Sequence, residues 1–490
     1  MQFAQLPDER AARDPHAQAL ADEHNGQLTN VQLLQRVQAA AEHLSKAGVG
    51  AGDVVAVKLF NRVELIISLF AAWRLGAAAT PVNPSLTASE VDYQLSDCSA
   101  RVLVCDDDSA SAPGYRAVTL TELAEPLDTS LSPAIADISE NAVALIIYTS
   151  GTTGRPKGVL LTHANVLAMA QSMIAFGSIG EETHSLVVLP LFHVNAMVAS
   201  VLAPMLAGGH ATIAGRFDPA TFFSIVERVR PTMFSAVPTT YGMLAALPGD
   251  VTPDTSSVRY AFSAAAPIPV QLMHQFEARY GIPIIEGYGL SEETCAATSN
   301  PIDGERKPGT VGIALPGLQV AVMNEHGELV IDGSAGEVVV KGPTVMRGYL
   351  NRPEETAKTI VDGWLHTGDI GFLDADGYLT LIDRAKEMII RGGENVYPKE
   401  IESALYTHPG VREAAVVGRP DPVYGEVPVA FVTLRDKDDV TADDLLVHIR
   451  RSLAKYKLPA EIIPLEEMPK NPVGKIDKPN LRRRFTPSTN

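Results

Sequence analysis

Apolar positions along the chain follow two alternating spacings. Val31, Leu34, Val37, Ala41 and Leu44 recur three or four residues apart, the stripe of a helix packed on one face. Thr29 is placed to cap its start and Gly48 to end it. DVVAVKL (Asp53–Leu59) is a short β-branched run that predicts a strand, and VELIISLFAAWRLG (Val63–Gly76) predicts a second helix. RVLVCD (Arg101–Asp106), AVALIIYTS (Ala142–Ser150), GVLLT (Gly158–Thr162) and SLVVLP (Ser185–Pro190) predict strands, with a helix over THANVLAMAQSMIAFG (Thr162–Gly177). Strand and helix in alternation predict α/β layers with largely parallel sheets. In such folds ligands sit at the carboxyl ends of strands.

From about Gly309 the pattern shifts to short strands and turns: GEVVVKG (Gly336–Gly342), DGWLHTGDIG (Asp362–Gly371) and GYLTLIDR (Gly377–Arg384). A smaller β-rich subdomain is expected there. A second alternation then runs through AAVVGRP, PVAFVTL and DDLLVHIRRSLAKYKLP, predicting a compact α+β tail with its boundary near Asp383–Lys386. Residues 470–490 are basic and proline-containing and are expected to fray beyond Lys478.

A chain of 490 residues exceeds a single hydrophobic core, so two or more domains are expected. The net charge of −18 argues against nucleic acid, whose phosphates need a basic face. Cys98, Cys105 and Cys295 make an odd count without metal-ligand spacing, which suits a reducing compartment. MQFAQLPDER lacks the charged-then-apolar pattern of a signal segment. The longest apolar stretch, Ala196–Gly209, is too short to span a bilayer and contains Pro204. A soluble cytoplasmic protein is the expectation.

One segment stands apart. YTSGTTGRPKG (Tyr148–Gly158) puts hydroxyls, glycines and Lys157 between two strands. Glycines let backbone N–H groups approach an anion, and hydroxyls and lysine add donors. It is not the Walker arrangement, because Pro156 precedes Lys157 and Gly158 follows it. A flexible linker is the alternative, but a loop tied to a core strand on each side is held in place. Anion binding is the favoured reading.

Further segments follow in order: LPLFHVNAM, SAAAP, EGYGLSEET, GWLHTGDIG, DRAKEMIIRGGENVYPKEIE and NPVGKI. The ordered set, from about residue 30 to 478, resembles the adenylate-forming superfamily of acyl-CoA synthetases, luciferases and peptide-synthetase adenylation domains. The resemblance implies a large N-terminal adenylation domain over 1–383, a hinge at 384–386 turning about Lys386, and a small mobile C-terminal domain over 387–490. It implies that a carboxylate attacks the α-phosphate of ATP to give acyl-AMP and pyrophosphate, and that a thiol, usually of coenzyme A, then displaces AMP. That step brings two anions together, so catalysis is chiefly charge neutralisation and positioning.

By this resemblance Thr149, Ser150, Gly151, Thr152, Thr153 and Gly154 wrap the β- and γ-phosphates, with Lys157 nearby. Glu292, beside Ser291, holds Mg²⁺; alone it would read as a solvated acid. Glu286, Gly287, Tyr288 and Gly289 line the nucleotide pocket, and Ala265, Ala266 and Pro267 run along the adenine. The family commonly has Thr at Ser291 and Gly at Ala264; the first change keeps the hydroxyl, and the second adds a methyl beside the acyl pocket. Asp369 and Arg384 hold the ribose, against the alternative of an inter-strand ion pair. Lys475 is the lysine that stabilises the adenylation transition state, with Gly474 freeing its loop. Gly392, Gly393 and Glu394 border the path of coenzyme A. His193 stands at the acyl end of the site, where a lone histidine among apolar residues is more often a core group.

The acyl pocket is expected from Val194, Asn195, Ala196, Met197, Ala236, Val237, Tyr241, Ser263, Ala264 and Leu290, with Gly287. These are mostly small or apolar, and Asn195 is the one obvious polar group. A buried second carboxylate would need an arginine partner; dicarboxylate-specific relatives place one directly before the Tyr-Gly pair, where this chain has Gly287. An apolar monocarboxylate, medium-chain or aromatic, is therefore expected. The alternatives are a dicarboxylate such as malonate or oxalate, an adenylating ligase that passes the acyl group to a carrier protein or amine, and a non-enzymatic nucleotide-binding protein. The short path from Gly342 to Trp364 lacks the insertion of fatty acyl-AMP ligases and favours coenzyme A. No aspartate stands in 193–197 or 234–241 to meet an amino group, though Asp218 lies between them.

Overall fold

The computed structural model describes residues 3–107, 115–125, 133–149, 156–384, 387, 389–391, 394–421, 423–435, 440–453, 455–470 and 476–485. The chain divides into two compact units: 1–268 with 272–320 and 340–366, and 269–271 with 321–339 and 367–490.

The first unit is built on two sheets. Among the described residues one has nine strands in the order Ile313–Ala314, Thr298–Ser299, Ile284–Tyr288, Tyr260–Ser263, Met233–Ala236, His184–Val187, His210–Ile213, Gln18–Asp22 and Gly26–Thr29. From Ile284–Tyr288 to Gln18–Asp22 every neighbouring pair is parallel. The other has seven, in the order Gly348–Tyr349, Lys157–Thr162, Val143–Thr149, Ala78–Pro81, Val54–Lys58, Val102–Cys105 and Arg116–Thr119. The expected α/β alternation is present, with antiparallel pairs at the edges: Gln18–Asp22 with Gly26–Thr29, Ile284–Tyr288 with Thr298–Ser299 and on to Ile313–Ala314, and Gly348–Tyr349 with Lys157–Thr162. Val143–Thr149 and Lys157–Thr162 also pair antiparallel, as a hairpin, because the seven residues 150–156 that connect them are too few for a crossover.

The helix predicted from the first stripe runs Asn30–Lys46, with Thr29 and Gln32 closing a capping box at its start. Val63–Arg74 is buried along its whole length, so its sequence shows no polar face. Its charged residues are paired: Glu64 with Arg36 at 2.7 Å and Arg62 at 2.9 Å, and Arg74 with Asp8 at 2.8 Å. Thr162 caps His163–Gly177 with another capping box. The apolar stretch from Ala196 breaks into a short helix, a π-helical turn (Val198–Leu202) and the helix Ala203–Leu206, with Pro204 in its first turn. Among the described residues no helix is long and apolar enough to cross a membrane.

The second unit carries its own core. Val411–Asp421 pairs antiparallel with Gly425–Leu434, and Glu461–Pro464 joins the latter in parallel. Ala414 and Val416 face one apolar layer with Ile401, Leu405, Leu445 and Ile449; Ala415 and Val417 face another with Phe431, Met468 and Leu481. Period-two alternation thus buries both faces of one strand. The expected fraying beyond Lys478 is corrected as far as residue 485; residues 486–490 lie outside the described residues. Lys478–Arg483 is helical, capped by Asp477, and Leu481 anchors it by complete burial.

Candidate active site

The hairpin fixes the mouth of the glycine-rich loop. Thr149 and Lys157 are Cα partners across it, while Ser150, Gly151, Thr152, Thr153 and Gly154 lie outside the described residues. Just beyond, the Pro156 carbonyl accepts from the Tyr93 phenol at 3.0 Å. Gly158 sits with Ile146 and the Leu350 Cβ close around it, where an added Cβ would come within 3.0 and 3.2 Å. Lys157 is largely enclosed. Its Nζ lies 2.8 Å from the Glu355 carboxylate and 5.1 Å from the centre of the Tyr349 ring.

EGYGLSEET leaves the carboxyl end of a parallel strand. The Glu286 side chain, 3% exposed, accepts the Ile268 N–H at 3.1 Å. Gly287 and Tyr288 pair with Ser299 and Thr298. At Gly289 a Cβ would overlap the Cys295 carbonyl and the Glu293 carboxylate, so only glycine fits. The Leu290 N–H donates to Glu293 Oε1 at 2.8 Å, and a 3₁₀ turn follows over Ser291–Glu293. Thr294 takes φ of +73° and its hydroxyl donates to the Thr344 carbonyl at 2.6 Å. Ser291 and Glu292 stay half-buried. The Glu292 carbonyl accepts the Met346 N–H at 2.8 Å, and its Oε1 accepts the Tyr349 phenol at 2.9 Å.

Among the described residues no three His, Cys, Asp or Glu side chains gather as a metal cage. One carboxylate beside a hydroxyl nevertheless fits Mg²⁺, which takes most of its six oxygens from water and phosphates.

Ser263, Ala264, Ala265, Ala266 and Pro267 leave the neighbouring strand. Ser263 is fully buried, Ala264 half-buried, and Ala265 to Pro267 are exposed. Ala265 takes φ of +71°, a left-handed conformation that costs a residue with a Cβ about 1 kcal/mol. Of the acyl candidates, Asn195, Val237, Ala264, Gly287 and Leu290 keep some exposure, while Val194, Ala196, Met197, Ala236, Tyr241 and Ser263 are enclosed. Tyr241 is held deepest: its hydroxyl donates to the Phe262 carbonyl at 2.5 Å and its ring packs edge-on to Phe276. Asn195 Oδ1 accepts from the Ser235 hydroxyl at 3.3 Å. His193 is half-buried and packs against Phe192, with ring centres 4.6 Å apart.

In the second unit Asp369, 5% exposed, is the direct cross-strand partner of Arg384. The Asp369 N–H donates to Thr367 Oγ1 at 3.1 Å. Glu394 begins the strand Glu394–Val396. Lys386, Gly392, Gly393, Gly474 and Lys475 lie outside the described residues.

Comparison with known proteins gives this arrangement a family. Residues 7–350 match the AMP-binding enzyme family and residues 400–475 the AMP-binding enzyme C-terminal domain. The chain belongs to the AMP-binding enzyme family, in its acyl-CoA synthetase branch. It is 38% identical over 484 residues to a feruloyl-CoA synthase of Amycolatopsis, covering 98% of each chain. It is 35% identical to an oxalate–CoA ligase of Arabidopsis thaliana, covering 97% of each. The ATP-bound crystal structure of MatB from Rhodopseudomonas palustris superposes with a TM-score of 0.92 at 31% identity, over 99% of each chain. The chain is accordingly an AMP-forming acid–CoA ligase with the family's mixed α/β fold.

Within this family member, sequence reasoning missed Tyr349 and Glu355, which meet Glu292 and Lys157 directly. Tyr349 lies 57 positions from Glu292, and RGYLNRPEET shows no periodicity of its own. Its only visible signal is an aromatic after Gly348.

Proposed function

We propose that the protein is an ATP-dependent carboxylate–CoA ligase acting on an apolar monocarboxylic acid, medium-chain or aromatic. The observation that carries the substrate class is the set of acyl candidates. None is charged, and the polar atoms of Asn195 and Ser235 are joined to each other. The likeness to a feruloyl-CoA synthase supports an aromatic acid. A small dicarboxylate is the second reading, favoured by the likeness to an oxalate–CoA ligase.

In this reading Thr149, the loop 150–154 and Lys157 hold the β- and γ-phosphates, and Glu292 with Ser291 holds Mg²⁺, which would neutralise phosphate charge. Glu286–Gly289 and Ala265–Pro267 border the adenine, Asp369 and Arg384 hold the ribose hydroxyls, and His193 stands toward the acyl end. Lys475 neutralises the attacking carboxylate and α-phosphate. Residues 384–386, turning at Lys386, separate an adenylation domain (1–383) from a mobile domain (387–490), whose Gly392, Gly393 and Glu394 border coenzyme A. We place the enzyme in the cytoplasm: its three cysteines are free and buried, and burial pushes the Cys98 and Cys105 thiols up to about 11.

The test incubates the protein with ATP, Mg²⁺ and a panel of mono- and dicarboxylic acids, with and without coenzyme A, and identifies products by mass spectrometry. Acyl-CoA from aromatic or medium-chain acids is the expected outcome. Turnover of oxalate or malonate alone overturns the substrate class, and acyl-AMP accumulating untouched by coenzyme A overturns the acceptor. Lys475→Ala should slow pyrophosphate release by roughly a thousandfold or more, the scale of a lost transition-state contact, while preformed acyl-AMP still reacts with coenzyme A.

A further inference from the structure

We infer that Tyr349 is a positioning residue for adenylation: its phenol fixes the Glu292 carboxylate while its ring seats Lys157, setting the metal carboxylate and the phosphate-loop cation in one register. The inference rests on the adenylating-ligase reading above.

Tyr349 is itself held firmly. Gly348–Tyr349 pairs antiparallel with Lys157–Thr162, Tyr349 opposite Val159 and Gly348 opposite Leu160. On either side the Arg347 N–H donates to Leu160 at 2.9 Å and the Leu350 N–H to Gly158 at 2.7 Å. The Tyr349 N–H donates to Thr356 Oγ1 at 2.9 Å, and that hydroxyl donates to the Arg352 carbonyl at 2.9 Å. This ties the tyrosine to the helix Pro353–Thr359, which carries Glu355.

A phenol has one proton to give, and here it goes to Glu292 Oε1 at 2.9 Å. One carboxylate oxygen is thereby fixed and the plane of the group set. The ring then offers Lys157 a cation–π seat at 5.1 Å, and Glu355 pairs with the same Nζ at 2.8 Å. Simple packing would explain the ring but not the hydroxyl, since phenylalanine fills the same space. The hydroxyl on a carboxylate at a phosphate-facing turn is what points to positioning.

Tyr349→Phe removes that hydroxyl and keeps the ring. Pyrophosphate release should fall roughly ten- to a hundredfold, the scale of one hydrogen bond to a charged group, with a higher Mg²⁺ requirement. Thioester formation from preformed acyl-AMP should stay within about twofold of wild type. Mn²⁺ binding in the presence of ATP, read by electron paramagnetic resonance without turnover, should weaken by roughly tenfold. Glu292→Gln gives an independent reading, and the double variant should lose less than the product of the two single losses. Unchanged Mn²⁺ affinity and unchanged pyrophosphate release in Tyr349→Phe, beside a wild type that binds Mn²⁺ with ATP, overturn the inference alone. Equal slowing of both half-reactions overturns it in favour of a structural role. A wild type that binds no Mn²⁺ with ATP overturns the adenylating reading and this inference with it.

Discussion

The segments after Tyr260–Ser263 and Ile284–Tyr288 leave adjacent parallel strands, with Ser263 in register with Glu286, yet they are held in opposite ways. The second is pinned throughout: Gly289 has no room for a Cβ, Glu293 is buried beneath the Leu290 N–H, and Thr294 is tied to Thr344. The first turns outward at once, with Ala265, Ala266 and Pro267 exposed and Ala265 in a left-handed conformation. A side chain that must place charge needs an immobile backbone. In the role proposed for Ala265–Pro267, a wall against a flat ring, only the right shape would be needed, so exposure and some strain would be tolerated.

Acid should loosen the unit that carries both segments, the largest effect expected. Burial lowers His163 and His184 to about 4, with His210 helping at His184. As pH falls through 6.5 the unfolded chain binds protons that the folded chain refuses. The stability these neutral histidines preserve is full above about 6.5 and drains away toward 4, by about 3 kcal/mol for each. Urea midpoints at pH 7 and 4.5 check this; equal midpoints would contradict it.

Gly289→Ala strikes the pinned segment alone and should cost about 3 kcal/mol through overlap with backbone. Pyrophosphate release should collapse with it, and calorimetry and the adenylation assay together measure both. Glu286→Ala cuts the tie between the segments by leaving the Ile268 N–H without its carboxylate, at a cost of about 2 kcal/mol. The ATP KM should rise more than the acid KM.

Ala265→Gly is the mildest change. Relief of the left-handed strain, about 1 kcal/mol, is offset by a more flexible unfolded chain. Net stability should rise by less than about 1 kcal/mol, with little change in turnover. A large loss of activity would show that the outward segment, too, needs its stiffness.

The helices and strands were legible wherever the apolar period was long and capped, as at Asn30–Lys46 and His163–Gly177. Lys478–Arg483 was not, because its anchoring rests on Leu481 alone and a single apolar residue among arginines carries no period. The candidate site divides in the same way. Glu292 and Lys157 stand in segments whose composition is unusual in itself, so the chain marks them. Tyr349 and Glu355 matter only through what they touch, and Glu355 lies almost two hundred positions from Lys157.

The amino-acid order by itself determined the α/β class, the loop bounded by strands, the residue types for binding an anion and the family they resemble. Each follows from short-range spacing or local chemistry. Only the tertiary structure decided the antiparallel hairpin under that loop, the glycine that alone fits at 289, and the tyrosine that joins Glu292 to Lys157. Those depend on which distant strands become neighbours, and pairing across long separations leaves no local period to read.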